Sequence, residues 1–467
     1  MRFDHAASDD LFATFLPNEE GSANVFETLD TFLSPSTSWG IDEFAHDPNY
    51  LQSQEQLRSL LFTTARSAAP TRAGTPVDET TSDPAFNIKR ILVQGRRVQY
   101  LKNYVSQVAP WLDMFDSNRA FGIQLPALAK ESPPLLYALL AIGARQVERK
   151  EKTQSSFDSL ELYQEAIRLL TPLLQTRETH VIATCVVLCC LEMFTASARD
   201  WRKHLEGCAA VFESFGIHGF SGGVSQAVFW CYARMDVCGA LISDGTESTL
   251  LKPSKWLPPD TPDNYAENLF RNSSPDMYAH FSVYLSAKTC ELISDRNKYV
   301  ELGEENGCNA QQFHERWTQI WHQWSEWSHY RPKELLPIET TAASPFPYIF
   351  FAHWAAISSN QLYHTSCVLL LTTLSPHNKT TLDSAPEHSV QWHVKRICGI
   401  SLANPHEGNL NNAIQPLWIA GRLLSHTSEQ ALVVKTIRHI EALTGWTACW
   451  RIRDLETVWG YKIRGDT

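Results

Sequence analysis

From about residue 86 onward, apolar residues recur every three or four positions, the spacing of helices that bury one face. In 201–215 the large apolar residues follow steps of 4, 3, 4 and 3: Trp201, Leu205, Cys208, Phe212 and Phe215. The same spacing predicts helices at 100–115, 133–149, 157–174, 179–194, 224–242, 311–327 and 346–374, with more towards the C-terminus. Regular strand alternation is missing from the sequence. The pattern predicts an all-α protein with one large multi-helix domain over 86–467.

Residues 1–85 have a different composition and predict a disordered, acidic segment followed by a linker. The first fifty residues contain ten Asp or Glu, one Arg and no Lys. Aromatic side chains are interleaved with these acids: Phe12, Phe15, Phe26, Phe32, Trp39 and Phe44. The stretch 67–84 is rich in Ser, Thr, Ala and Pro, as linkers are. Acidic residues mixed with aromatics are typical of activation segments, and a disordered tail without function is the alternative.

Overall composition narrows the class of protein. The 467 residues are 43% hydrophobic and include 15 Trp, enough for a sizeable core. A net charge of −11 argues against a dominant basic nucleic-acid-binding domain. The N-terminus lacks the apolar stretch of a secretory signal, and no apolar run is long enough to span a membrane. Eleven cysteines, many on apolar helical stripes, suit reduced thiols in the cytosol or nucleus.

The stretch Gly219-Phe220-Ser221-Gly222-Gly223 matches G-x-S-x-G, the nucleophile elbow of serine hydrolases. An elbow needs a strand before its serine, so that the hydroxyl is exposed above a sheet. Here the preceding and following segments both have helical spacing. We therefore interpret the glycines as a turn between two helices, because glycine tolerates the positive φ found at helix ends. Ser221 is not predicted to be a nucleophile.

Cysteine and histidine spacings offer weak metal-binding patterns. No C-x-x-C pair exists, and each i, i+4 pair would need two further ligands from elsewhere. The pairs considered are Cys185 with Cys189 (beside Cys190), and His204 with Cys208. A further pair, Cys231 and Cys238, lies roughly 10 Å apart along a helix, too far for two thiolates on one zinc ion. We expect these cysteines to be small apolar core residues.

Other chemistry-bearing motifs are also missing from the sequence. Five histidines lie in or beside aromatic-rich helices without forming H-E-x-x-H: His314, His322, His329, His353 and His364. The stretches 242–247 and 293–301 do not cluster carboxylates as a magnesium-dependent terpene cyclase requires. Neither a P-loop nor G-x-G-x-x-G occurs. We predict no catalytic residues, no metal ligands and no cofactor, and assign no cofactor-binding residues.

Several segments resemble the regulatory region of fungal zinc binuclear cluster transcription factors. They are "WLDMFD" (111–116), "PPLLYALLAIGARQ" (133–146), "VVLCCLEMF" (186–194), "WRKHLEGCAAVF" (201–212), 219–242, 346–364, "IQPLWIAGRLL" (414–424) and 444–461. The likeness covers about 100–461 in consistent order. It implies an all-helical regulatory domain in a nuclear protein that controls transcription, often of a metabolic gene set, without catalytic residues.

One departure from that family matters. Members normally carry six cysteines that hold two zinc ions near the N-terminus, whereas the first cysteine here is Cys185. We therefore expect a co-regulator that acts through the transcription machinery or a zinc-cluster factor, or a gene model that lacks an N-terminal exon. Homodimer formation is left open, and specific DNA binding by this chain alone is not expected. A modest basic patch could touch phosphate or aid nuclear import, although a solvated helix face is the simpler interpretation: Lys89, Arg90, Arg96, Arg97 and Lys102.

The alternatives belong to other functional classes. One is a helical small-molecule sensor or enzyme with a buried pocket, because a large Trp-rich helical domain could enclose a metabolite. The missing catalytic motifs disfavour the enzyme but not the sensor. Another is a scaffold that only dimerises with zinc-cluster factors.

Overall fold

A computed structural model describes residues 43–67, 88–151, 157–195, 198–243, 247–262, 265–374, 384–404 and 406–463. These residues are mostly helical, which confirms the all-α prediction. The first helices are α1 (Pro48–Ser67), α2 (Ile88–Leu92), α3 (Arg97–Asn103), α4 (Ala109–Leu112), α5 (Leu125–Leu128), α6 (Pro133–Glu151), α7 (Asp158–Leu170), α8 (Thr179–Thr195) and α9 (Ala198–Phe215). They are followed by α10 (Gly223–Ile242), α11 (Ala266–Arg271), α12 (Pro275–Asn297), α13 (Ala310–His329), α14 (Trp354–Thr373), α15 (Val390–Ala403), α16 (Glu407–Gly421), α17 (Thr427–Thr444) and α18 (Trp450–Trp459).

The N-terminal helices assemble around α6 and α8. Helix α6 begins at a proline and ends in basic residues, as helix-terminus chemistry favours, and it packs against α3, α7, α8 and α17. Helix α8 is apolar on nearly every side, and residues 181–192 are all buried. A helix without a polar face can only be stable inside the protein. Helix α8 is therefore the central helix of this group.

The C-terminal helices assemble around α12 and α14. Helix α12 packs against α10, α13 and α14, while α14 also contacts α15 and α16. Helix α13 covers this group with a stripe of buried rings, and each buried indole N–H finds an acceptor. Trp317 donates to the Leu370 carbonyl, Trp324 to Thr289 Oγ1 and Trp327 to the Tyr278 carbonyl. Contacts of α16 with α4 and α10 join the two groups.

The structure differs from the predicted helix over 346–374. Its first residues form a short antiparallel hairpin instead, with β1 (Glu339–Thr341) paired to β2 (Tyr348–Phe350), and α14 begins only at Trp354. Prolines at 345 and 347 remove backbone donors and disfavour helix at this point. Strands of three residues are too short to show an alternating pattern, which is why the sequence did not reveal them.

The prediction that residues 1–85 are disordered is wrong for 43–67. Phe44, in a 3₁₀ turn, is fully buried, and α1 packs against α7 and α9. Tyr50, Leu57 and Leu61 form the buried stripe of α1 and fall on one face of a helix. Residues 1–42 and 68–87, which hold the rest of the predicted tail and linker, lie outside the described residues.

No helix in the described ranges is both long enough and apolar enough to cross a membrane.

Candidate functional site

The glycine-rich stretch lies between two helices, as its spacing predicts. Helix α9 ends at Phe215, and α10 begins at Gly223. Gly222 and Gly223 have φ of 80° and 55°, the left-handed region that glycine adopts without a steric penalty. The residues before Ser221 form a turn that follows a helix rather than a strand, so the geometry of a nucleophile elbow is not formed.

Glycine is needed at position 219 because the chain packs closely there, not because the backbone has a positive φ. Its N–H donates to the Trp256 carbonyl at 2.9 Å, and its carbonyl accepts the Trp230 indole N–H at 2.8 Å. A Cβ at this position would lie 2.6 Å from the Trp230 ring. Ser221 is exposed, and its hydroxyl oxygen accepts the His218 N–H at 2.9 Å, a bond internal to the turn. The motif is thus explained by turn geometry and packing.

A buried polar cluster surrounds Glu192 of α8. Its carboxylate accepts bonds from the Tyr163 hydroxyl at 2.6 Å, the His204 ring at 2.6 Å and the Gln54 amide at 2.8 Å. Glu192 and His204 are fully buried. Burial is the largest single effect and opposes a charge on His204, but the Glu192 carboxylate and the Cys208 sulfur together outweigh it and raise the His204 pKa to about 10. His204 is therefore an imidazolium that is ion-paired inside the protein.

Cysteines adjoin this cluster. The second ring nitrogen of His204 has no oxygen or nitrogen partner, and the Cys208 sulfur lies next to it. A hydrogen bond with Cys189 lowers the Cys208 pKa to about 6 against the effect of burial, with further help from the His204 charge. The His204–Cys208 pair that the spacing places on one helix face is thus in contact, and Cys189 joins it. A hydrogen bond with Cys190 likewise lowers the pKa of Cys231. Cys238 lies in a different part of the core.

The described residues contain no cluster of three or more His, Cys, Asp or Glu placed to hold a metal ion. Cys185, Cys189, Cys190, Cys208 and Cys231 are all buried and reduced. These thiols occupy core positions on α8, α9 and α10, but the lowered pKa values of Cys208 and Cys231 distinguish those two from ordinary apolar core residues.

A second histidine cluster lies between α14 and α15. His364 Nδ1 and His393 Nδ1 are 2.8 Å apart, and His393 Nε2 donates to the Glu387 carbonyl at 2.8 Å. His393 therefore accepts through Nδ1, and His364 donates to it. Burial is the main cause that lowers the pKa of both rings, with His393 at about 4. Both rings are neutral at physiological pH.

The other predicted histidines have separate surroundings. His353 caps α14 by accepting the Ala355 N–H at 3.1 Å. His322 is exposed beside Glu326 on α13, and His314 stacks on Trp317. His329 contacts the Tyr330 ring at the end of that helix. The structure does not bring these four side chains into one site.

The predicted basic patch is partly neutralised. Arg96 makes a two-point ion pair with Glu151, at 2.7 and 3.0 Å, and Arg97 lies 3.7 Å from Glu161. Lys89, Arg90 and Lys102 are exposed on α2 and α3. This distribution fits a solvated helix face better than a phosphate-binding surface.

Comparison with known proteins adds an independent finding. A family model described as the fungal-specific transcription factor domain matches residues 99–462, which is more than half of the chain. Among curated proteins, the chain is similar to the transcription activator AMTR1 of Alternaria alternata, with 24% identity over 339 residues. That alignment covers 60% of this chain and 44% of AMTR1, so the chain spans less than half of that relative. No solved structure matches the chain significantly.

Proposed function

Because the chain belongs to the fungal-specific transcription factor domain family, we propose that it is a nuclear protein that regulates transcription of a metabolic gene set. The observation that carries this proposal is the family match over 99–462, which includes nearly all helices from α3 to α18. Similarity to a protein named as a transcription activator supports activation rather than repression.

In this proposal the helical domain is a regulatory scaffold, and the acidic N-terminal segment contacts the transcription machinery. The segment is shorter than its composition suggested, because Phe44 is buried and α1 belongs to the helical domain. Residues 1–42 contain six aromatics: Phe3, Phe12, Phe15, Phe26, Phe32 and Trp39. In this proposal the rings enter an apolar groove of the partner and supply the contact area.

Target selection is proposed to come from a partner or from a DNA-binding module outside these 467 residues. The net charge of −11 repels phosphate, and the basic residues near α2 and α3 are partly paired. We expect the purified chain to bind duplex DNA weakly and without sequence preference. We also propose that the chain is not an enzyme, because its one catalytic-looking motif is a turn that packs two tryptophans.

The proposal is tested by fusing the chain to an unrelated DNA-binding domain that recruits it to a reporter gene. We expect the full chain and residues 1–42 alone each to raise reporter transcription. Replacing Phe12, Phe15, Phe26 and Phe32 with Ala should abolish activation by 1–42, because the rings supply the apolar contact area. Replacing the acids of 1–42 with Asn or Gln should reduce it only in part.

Protein levels of each fusion provide the control for these measurements. A silent reporter with the well-expressed full chain would contradict the regulatory function. A silent 1–42 fusion beside an active full chain would instead place activation in the helical domain and refute the proposed role of the aromatic segment.

A further inference from the structure

Two arginines without an acidic partner lie where the end of α13 meets α14 and α15. Arg331 follows α13 and Arg396 belongs to α15, and both side chains are half-buried. Among the described residues, neither guanidinium has a carboxylate oxygen within 4.0 Å. Arg316, which is also half-buried, instead pairs with Asp295 at 2.8 Å. A half-buried cation without a counter-ion has lost hydration that no opposite charge replaces.

Arg331 is held in place by its neighbours but keeps one donor group unused. Its Nε donates to the Ser328 carbonyl at 2.8 Å, and its Nη1 donates to Asn360 Oδ1. The guanidinium carbon also lies 5.6 Å from the centroid of the Trp327 ring. Nη2 makes no hydrogen bond to the described residues and is not fully buried. It can therefore donate to a ligand while the other contacts stay in place.

Arg396 is held only through its contact with a ring. Its guanidinium lies over the Trp392 ring at 4.1 Å and makes no hydrogen bond to the described residues. None of its nitrogens is fully buried, so the five N–H groups of the planar fork are available. Burial lowers the pKa of Arg396, and the opposing charge of Glu387 is too distant to form an ion pair.

Tyr363 of α14 connects the two arginines. Its ring is 6% exposed and packs against the Trp327 and His393 rings, each with a centroid distance of 5.7 Å. Burial is the main cause that raises the Tyr363 pKa, so the hydroxyl keeps its proton and can donate. Arg331 and Arg396 both lie near enough to Tyr363 for their pKa values to depend on it. The two guanidiniums and the hydroxyl are therefore neighbours.

The chemistry of these three donors favours a phosphoryl group over a carboxylate. A phosphoryl group carries about −1.5 to −2 charges at pH 7 and has three acceptor oxygens. It can accept hydrogen bonds from two guanidiniums and a hydroxyl at once, and its charge offsets both cations. A carboxylate has a single charge and two oxygens, which one arginine already satisfies in a bidentate pair.

We propose that Arg331 and Arg396 bind the phosphoryl group of a small phosphorylated molecule, with the Tyr363 hydroxyl as a third donor. The arginine nitrogens that bind it are accessible at the surface, so the rest of the ligand needs no enclosed cavity. This binding is a property of the purified chain and does not depend on the proposed role in transcription.

The test is isothermal titration calorimetry of the full chain with inorganic phosphate, phenyl phosphate and acetate, at pH 7 and constant ionic strength. We expect saturable binding of both phosphates and weaker binding of acetate. Arg396→Gln should weaken phosphate binding by about tenfold or more, the loss of a charge-assisted hydrogen bond. This variant should fold normally, because the Arg396 side chain makes no hydrogen bond to the described residues. Arg396→Lys should retain part of the affinity, since it keeps the charge but not the fork.

Arg438→Gln is the matched control, because Arg438 is also half-buried but lies on α17, outside this cluster. It should leave the affinity for phosphate unchanged, whereas Tyr363→Phe should weaken binding, but less than Arg396→Gln does. Absence of saturable binding of inorganic phosphate would overturn the proposal, as would equal affinity of the unsubstituted chain and Arg396→Gln. Acetate that binds as tightly as phosphate would refute the phosphoryl assignment. Binding of inorganic phosphate without binding of phenyl phosphate would refute a phosphorylated molecule as the ligand.

Discussion

The two buried histidine clusters of this protein differ in charge: His204 is protonated in one, whereas His364 and His393 are neutral in the other. His204 pairs with the Glu192 carboxylate, and its pKa is raised to about 10 despite burial. His364 and His393 bond only to each other and to a backbone carbonyl, and burial lowers the pKa of both. Each cluster lies between packed helices of the domain. The partner, rather than the depth of burial, decides whether the imidazole is charged.

This difference determines how each cluster contributes to stability. The Glu192 cluster is an ion pair, so removal of one member leaves an uncompensated charge in the core. The His364–His393 pair is neutral, so it tolerates burial but resists protonation. The first cluster is therefore sensitive to substitution, whereas the second is sensitive to acid.

The largest expected effect comes from breaking the charged cluster. Glu192→Gln keeps the size of the side chain but removes the counter-ion of His204. We expect the free energy of unfolding to fall by about 3–5 kcal/mol, the usual cost of breaking a buried pair. Urea denaturation at pH 7 measures this change.

Glu165→Gln is the matched control for that substitution. Glu165 pairs with Arg168 at 2.7 Å, but the Arg168 side chain is 66% exposed. Such a surface pair contributes below about 1 kcal/mol. If Glu192→Gln costs no more than Glu165→Gln, the ion-paired description of the cluster is wrong.

The sequence predicted this cluster only in part. The i, i+4 spacing of His204 and Cys208 correctly places them on one face of α9. Glu192 lies on α8, and Gln54 on α1, so their approach depends on how three helices pack. Nothing in the local spacing of Glu192 distinguishes it from a surface glutamate. The second cluster was hidden for the same reason, because His364 and His393 are on different helices.

The fold was easier to predict where one face of a helix is strongly apolar. The spacing of apolar residues, together with the residues at the helix ends, correctly predicts helices α6, α8, α9 and α10. Helix α1 was missed because its buried stripe of Tyr50, Leu57 and Leu61 is sparse and lies among polar residues next to an acidic tail. Its helical conformation depends on contact with α7 and α9, which local sequence does not reveal.

An acid titration sharpens the contrast by testing the neutral pair. The His393 pKa is about 4 in the folded protein and about 6.5 when unfolded. A histidine with a lowered pKa contributes stability above the unfolded value, and this contribution is lost as the pH falls from about 6.5 to 4. The loss amounts to about 3 kcal/mol.

The measurement compares the unsubstituted chain with His393→Gln by urea denaturation at each pH. The comparison is needed because buried Asp113 and Asp236 have raised pKa values, about 7 and 6, and stabilise the fold as the pH falls through the same range. Glutamine can keep the bond to the Glu387 carbonyl and the bond from His364. Parallel pH curves for the two proteins would refute the neutral-pair assignment.

The smallest effects come from the glycine-rich turn, which holds no buried ionisable group and so sets the baseline for both clusters. Gly219→Ala should cost about 1–3 kcal/mol, because its Cβ would lie 2.6 Å from the Trp230 ring and 3.0 Å from the Trp256 carbonyl. Ser221→Ala, two residues later, should change the free energy of unfolding by less than about 0.5 kcal/mol, since the hydroxyl is exposed. Urea denaturation of both variants measures the packing role of Gly219 against the small contribution of the Ser221 hydroxyl. Covalent labelling of Ser221 by a fluorophosphonate probe would contradict this account and restore the hydrolase interpretation of the motif.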